Sequence, residues 1–451
     1  MDRRKNIVFL HVDQLTANVL SAYGETGANR PATFTRTPGL DHIASRGRTF
    51  INSYCAGPQC VPSRSSWYTS RTVAETGVLR NQYVMGTEFP NLGSWLRDKA
   101  DYLPVYAGKW HVSRIRVEDG FELLDKGSGH GEANDAGVGR SAMAFLNNYS
   151  GEKPFFLNVG LLNPHDCCFF SPTYGKYGLS DRGASGDLSI ESPPLPKNFN
   201  GAESKWLKDW TEADWRYYLY QYSRQTEMID TITKRIWDTL RASKFADNTL
   251  FIFSADHGEG AANKGRVSKG YLDDNTMRVP LICEGPGIAN PGTVDRSHLV
   301  SGIDIGATVC EIAGCAPMPG VSVARSFLPL LAGEQEPWRD YVVCESGKGG
   351  FGASVISERY QCNFRHDGQW EVFDRINDPF QINNLAATDA GRQAKEKHLE
   401  YLRDYLGKIT VCLNGGQVTP KYADTADASM ANFQTMLKMY DAISRGEALY
   451  V

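Results

Sequence analysis

Residues 58–71 read PQCVPSRSSWYTSR, which sets Cys60 two residues before Pro62 and Arg64 two residues after it. Proline suits the first turn of a helix because its missing N–H would be unpaired there anyway. A helix starting at Pro62 is therefore predicted, with Cys60 at its open end. The free N–H groups and partial positive charge of a helix start favour an anion beside that thiol, and Arg64 adds a full charge from the first turn. Three more stretches carry groups able to move protons or hold a cation: Asp13 at the end of NIVFLHVD, the segment Asn163 to Asp166 (NPHD), and Asp256-His257 within FSADHGEG.

Each of these polar clusters falls just past a compact apolar run. NIVFLHVD (6–13) and NTLFIFSADHG (248–258) read as buried strands, and YLPVYAG (102–108), PFFLNVGL (154–161) and VPLICEG (279–285) as shorter ones. Helix-like sequence separates them, including a long stretch from Glu212 to Arg241. Strands alternating with helices predict an α/β fold, a large mixed, mostly parallel sheet sandwiched by helices. Ligands of such sheets bind beyond the carboxyl ends of the strands, so the three clusters should share one rim. After residue 345 the pattern changes to short strands, SVISERYQCNFRHDGQWEVFD, with a turn at Asp367-Gly368 and a helix from about Ala390 to Gly407. This predicts a first domain over 1–345 and a smaller antiparallel α+β subdomain, with a tail, over 346–451. Residues 171–200, rich in Gly, Ser and Pro, read as a surface loop or lid near the rim.

Composition narrows the function classes. The chain has 451 residues, 41% hydrophobic and 22% charged, with a formal net charge of −4 and a pI near 6.2. Nucleic-acid binders usually carry a basic face, and no such footprint is present; an anionic ligand would need a local basic pocket. Ten cysteines without a CxxC are too few for a disulfide scaffold and argue against structural zinc, so most read as buried thiols. The apolar run of MDRRKNIVFLHVDQ is too short for a signal peptide core or a membrane span. The expected compartment is the cytoplasm, or the periplasm or exterior if a leader was removed.

CVPSR followed by YTSR resembles the signature C-x-P-S-R…T-G-R of the type I sulfatases of the alkaline phosphatase superfamily, with Arg71 in place and Ser70 where glycine is usual. Further stretches resemble that family's motifs in the same order: NIVFLHVDQ, GKWH (108–111), NPHD, FSADHGEG, SKGYLDDNTMRVPLI and, near the end, DGQWEVFDRINDPFQINNLA. The resemblance spans residues 5 to about 390.

Its implications are specific. Cys60 would be oxidised by a formylglycine-generating maturation enzyme to an aldehyde, which hydrates to a gem-diol. One hydroxyl, beside a divalent cation, would be the nucleophile; loss of the other's proton would expel sulfate by elimination. Asp13, Gln14, Asp256 and His257, with the group at position 60, would hold the cation. The usual pattern has Asp at 14 and often Asn at 257, so Ca²⁺ is expected with Mn²⁺ or Mg²⁺ as alternatives. Arg64 would hold the modified side chain, Lys109 and Lys269 would contact sulfate, and His111 would be the base of the elimination. His165 would contact sulfate and help protonate the leaving alcohol, and Asn81 would be a substrate contact or a loop cap. The aromatic run Trp206, Trp210, Trp215, Tyr217, Tyr218, Tyr220 and Tyr222 fits a helix core better than a sugar platform. Gly258, Gly260 and Gly265 lie outside any GxxxxGK[ST] phosphate loop. The expected activity is hydrolysis of a sulfate ester, of a small molecule or a saccharide. The alternatives are a phosphonate monoester hydrolase or phosphodiesterase of the same superfamily, and a non-catalytic binder of sulfated glycans.

Overall fold

The computed structural model describes residues 4–24, 34–86, 88–127, 129–170, 192–205 and 207–447, Phe170 through its backbone alone. In chain order its strands are β1 (Asn6–Asp13), β2 (Arg48–Phe50), β3 (Ser53–Tyr54), β4 (Leu103–Gly108), β5 (Glu122–Asp125), β6 (Phe155–Pro164) and β7 (Thr249–Ala255). They continue with β8 (Leu281–Glu284), β9 (Thr293–Asp295), β10 (Val300–Ser301), β11 (Tyr341–Ser346), β12 (Gly352–Ser357), β13 (Tyr360–Arg365) and β14 (Trp370–Asp374). Eight form one sheet in the order β5-β4-β6-β1-β7-β8-β2-β9. Pairing is parallel from β5 through β7 and antiparallel on both sides of β8. The α/β expectation holds, with a mixed edge.

β1 lies at the middle of this sheet and every one of its residues is buried. Both faces are covered, which is why its sequence is continuously apolar rather than alternating. Ile7 and Phe9 pack with Phe156, Ile252 and Trp67 on one side. Val8, Leu10 and Val12 face the other side, with Val138 and Ala142 of the helix Gly131–Asn148 and Ile229 and Ile236 of the helix Glu212–Ala242. Each such fully buried aliphatic or Phe side chain contributes about 1.5–3 kcal/mol. The register carries the functional consequence: Val12 lies opposite Ala255 and Asp13 opposite Pro164, so the polar residues that follow β1, β6 and β7 emerge on one rim.

The helix expected at Pro62 starts two residues earlier and spans Cys60–Thr69. Proline sits third in it, still within the turn that needs no N–H from it, and the next N–H, from Ser63, reaches the Gln59 carbonyl at 3.0 Å. The helix ends on Ser70 at φ 52°, ψ 33°, a left-handed conformation that glycine adopts freely and other residues adopt at about 1–2 kcal/mol. Serine at the usual glycine position therefore keeps the turn and bears its strain.

β11 to β14 form an antiparallel sheet in sequence order that opens at Tyr341, five residues ahead of 346. Gly368 at φ 83° makes the β13–β14 turn. Helix Asp389–Leu406 packs Leu402 and Tyr405 against this part of the core. The stretch read as a tail holds a 19-residue helix, Ala426–Ser444, whose Phe433, Met436 and Tyr440 join the same core. The expected lid falls largely at 171–191, outside the described residues, as does Trp206. Trp215, Tyr218 and Tyr222 are buried with Cys167, Cys168 and Val267 and Trp210 packs against them, so this part of the aromatic run is core, while Tyr217 and Tyr220 are half-buried. All ten cysteines are free, eight of them buried. Among the described residues no helix is long and apolar enough to cross a membrane.

Glu345 at the end of β11 joins the tail helix to the rest: it accepts hydrogen bonds from the Ala74 N–H at 2.8 Å and from the Tyr440 hydroxyl. Burial pushes its carboxyl up to about 7. A carboxyl raised on folding contributes stability that is full below its unfolded value, near 4.5, and is lost as pH rises to the folded value. Glu345→Gln lacks that loss. Its stability relative to wild type, from urea unfolding in EDTA, should therefore rise by about 2–3 kcal/mol between pH ~4.5 and pH ~7.5. A flat difference would show that Glu345 is ionised throughout.

Candidate active site

Five elements converge on the rim. The turn after β1 carries Asp13 and Gln14, with Gln14 at φ 70°. That strained turn is pinned from both sides, since the Gln14 N–H donates to Asp256 Oδ1 at 3.0 Å and the Tyr222 hydroxyl to the Gln14 carbonyl at 2.7 Å. The end of β7 brings Asp256 and His257, whose N–H also donates to Asp256 Oδ1, at 2.9 Å. Lys109 follows β4, His165 follows β6, and the same β7–β8 connection that carries Asp256 and His257 also brings Lys269. The fifth element, the helix start, inserts Cys60 among them, 1% exposed.

The Cys60 Sγ lies 3.2 Å from Lys269 Nζ, 3.3 Å from His257 Nε2, 3.6 Å from Asp13 Oδ1 and 3.9 Å from Lys109 Nζ. Burial and Asp13 push its thiol up, but Lys109, Lys269 and His257 outweigh them and hold it well below the usual range. Asn81 does two things: its Oδ1 accepts from the Val61 N–H at 3.0 Å, capping the helix, and its Nδ2 lies 3.9 Å from Cys60 Sγ.

Arg64, fully buried, bridges both acids, with Nε 2.8 Å from Asp256 Oδ2 and a terminal nitrogen 3.2 Å from Asp13 Oδ2. It also donates to the Lys109 carbonyl at 2.8 Å. Lys109 Nζ reaches Asp13 Oδ2 at 2.6 Å. Asp13 resists burial because Lys109 and Lys269 keep its carboxyl well below the ordinary range. Three cationic side chains thus face two carboxylates, a surplus suited to an anionic ligand. His165 is lowered by burial and by Lys269 and Lys109 and stands neutral; its Nδ1 is buried without a hydrogen-bond partner.

The structure thus gathers Asp13, Gln14, Cys60, Arg64, Asn81, Lys109, Asp256, His257 and Lys269 by direct contact, and His165 through the lysines' fields. It leaves His111 apart: that side chain is exposed, its backbone at φ 50°, and no hydrogen bond or ion pair joins it to the cluster. Arg71 serves the fold, donating to the Gly320 carbonyl at 2.7 Å. Gly258 and Gly265 allow close backbone approach, since a Cβ would meet the Asn275 carbonyl oxygen at 1.9 Å in the first and that of Gly201 at 1.5 Å in the second. Sequence reasoning missed two buried residues. His11 sits under Arg64, its Nδ1 3.5 Å away, and only its polarity inside an apolar strand could have flagged it. Glu259 accepts from Gln14 Nε2 at 2.5 Å; an acid two residues past His257 was the visible signal.

A parallel sheet whose carboxyl rim carries an anion-accepting helix start, two acids and convergent cations defines a hydrolase of oxyanion esters. Comparison makes the class particular: the chain belongs to the sulfatase family, whose model matches residues 5–315, and it is a sulfuric ester hydrolase. The model described as N-sulphoglucosamine sulphohydrolase, C-terminal, matches residues 263–406. The Delta 4,5-hexuronate-2-O-sulfatase of Bacteroides thetaiotaomicron is 28% identical, the match covering 89% of each chain. A solved 2-O GAG sulfatase superposes with a TM-score of 0.75 at 25% identity, covering 90% of this chain and 92% of that one. The phosphonate monoester hydrolase of Agrobacterium radiobacter, at 20% identity, covers 88% and 95% with a TM-score of 0.71, a likeness of fold.

Proposed function

We propose that the protein removes sulfate from a sulfated saccharide, with a formylglycine made from Cys60 and a divalent cation held by Asp13, Gln14, Asp256 and His257. The observation that carries this reading is the convergence of two lysines, an imidazole and a carboxylate on one buried Sγ. A thiol alone serves poorly there, because a sulfated sulfur would need a second attack to be freed. The donor set fits a cation: one donor atom each from Asp13, Cys60, Asp256 and His257 lies within 4.8 Å of all the others, and Gln14 adds a carbonyl oxygen. Hard oxygens with one imidazole suit Ca²⁺, with Mn²⁺ or Mg²⁺ as alternatives. When bound, the cation would supply, with the hydrated aldehyde, a hydroxyl nucleophile near neutral pH.

The chain's own groups do the rest. Lys109 and Lys269 bind sulfate oxygens and offset the charge that grows in the transition state. Arg64 fixes both carboxylates so that they cannot turn toward the lysines' ligand. His165, kept neutral by burial and by those lysines, regains some basicity when an anion lies between the lysines, and can then hold the proton that the leaving alcohol oxygen takes. His165→Ala should accordingly cut kcat by about 10²–10⁴ on an alkyl or sugar sulfate, and far less on nitrophenyl sulfate, whose leaving group needs no proton. Equal losses on both would remove His165 from proton delivery.

The relative named for hexuronate 2-O-sulfate supports a saccharide substrate. A phosphonate monoester or phosphodiester is the second reading, favoured by Gln14 and His257 in the cation set, and the Lys109-x-His111 spacing opposes it only in sequence, since His111 stands apart from the cluster. Mass analysis of the peptide containing Cys60, from protein matured in its own host, tests the first reading. An aldehyde or its hydrate is expected, and an intact thiol would overturn it. Turnover of aryl sulfate against aryl phosphonate monoester and phosphodiester orders the two readings, and preference for either phosphorus ester would reverse them.

A further inference from the structure

The family resemblance places Asp at position 14, yet this chain has Gln, whose side-chain amide offers oxygen on one side and N–H on the other. Which side meets the cation decides whether residue 14 is a ligand at all. We infer that Glu259 is the positioning residue that settles this, locking the Gln14 amide with its oxygen toward Lys269 and the cation site. Gln14 Nε2 faces three acceptors: Glu259 Oε2 at 2.5 Å, Cys168 Sγ at 3.1 Å and Cys167 Sγ at 3.5 Å. Gln14 Oε1 faces Lys269 Nζ, which can only donate. A carboxylate can only accept, so turning the amide over would oppose acceptor to acceptor and donor to donor at once.

Glu259 is itself immobilised. It is fully buried, and its Oε1 accepts from the Tyr218 hydroxyl, the Ser268 N–H and, at 3.4 Å, the Ala261 N–H. Ser268 directly precedes Lys269, so one carboxylate holds both the amide at 14 and the loop that presents the lysine. The arrangement also explains how the site does without the second aspartate: the negative charge stands one hydrogen bond further out and acts through the amide, as second partners of metal ligands do.

The cation half of this inference rests on the proposed function, and the experiment separates the two. In Glu259→Gln, a Gln that keeps its oxygen for Tyr218 and Ser268 turns its NH₂ against that of Gln14 and flips it. Ca²⁺ affinity of the full-length chain, by titration calorimetry, should fall about ten- to a hundredfold. Gln14→Glu alone sets two carboxylates against each other and should also lose affinity. The double variant Gln14→Glu/Glu259→Gln reverses donor and acceptor, restores the hydrogen bond, and should return to within about threefold of wild type. The same cycle in EDTA, read as Tm, should show the double variant well above the sum of the singles. Wild-type Ca²⁺ affinity in Glu259→Gln, or simple additivity of the EDTA cycle, would overturn the inference. A wild-type chain that binds neither Ca²⁺, Mn²⁺ nor Mg²⁺ would instead remove the cation from the proposed function, with the EDTA cycle still deciding the Gln14–Glu259 pair.

Discussion

Cys60→Ala folds, melts within a few degrees of wild type, and turns over sulfate ester on the order of 10⁵-fold more slowly or worse. The loss is large because Lys109, Lys269 and His257 are arranged around one atom, and they cannot substitute for it; removal of a nucleophile elsewhere costs about 10⁶ in kcat. The fold survives because the change deletes a single sulfur at the head of a helix, while Asn81 still caps Val61 and Ser63 still reaches Gln59. Buried truncations of this size cost about 1 kcal/mol. The checks are sulfate release and a thermal melt on the same preparation. More than a hundredth of wild-type turnover would show that the group at 60 is not the nucleophile, and global unfolding would show that it is structural.

Arg64→Leu should be the most destabilising single change at the site, by about 3–5 kcal/mol in EDTA, because it leaves two buried carboxylates short of a charge, Asp13 with the lysines and Asp256 with His257 as remaining partners. Asp256 is the more exposed to this: burial and Asp13 already push its carboxyl up, and Arg64 with His257 holds it down. Saturating Ca²⁺ should return part of the loss, since the cation faces the same oxygens. Arg64→Lys should fall between, because a single ammonium cannot span both carboxylates and the Lys109 carbonyl. Urea unfolding with and without Ca²⁺ measures all three; a loss below about 1 kcal/mol for the leucine variant would mean that the bridge merely breaks even against its desolvation.

What could be read before folding was set by period and chemistry. β1, β6 and β7 are apolar on both faces, a pattern of few alternatives, and the polar residues beyond them had to share a rim once the strands were parallel. Short strands such as β2 and β9, three residues each, carry no such pattern and owe their pairing to the larger sheet. The tail helix did carry a helical signal, Phe433, Met436, Tyr440 and Ile443 recurring on one face, though what that face packs on, β11 and the segment around Tyr83, shows only in the fold. Among site residues, those carried by motifs were legible. Glu259 was not, because its role depends on an amide 245 positions earlier in the chain. His111 shows the opposite limit: the resemblance put it in the site beside Lys109, but here its backbone is left-handed at φ 50° and its side chain exposed, which a motif cannot report.

Cys60 is almost sealed, and the lysine that covers it lies 209 residues later. During synthesis the thiol therefore leaves the ribosome long before His257 and Lys269, two of the groups that will enclose it, exist. Any agent that is to change position 60 has that interval to work in, and the finished fold ends it. If position 60 is modified as proposed, folding rate would compete with that modification, and a chain that folded first would be well formed and inert.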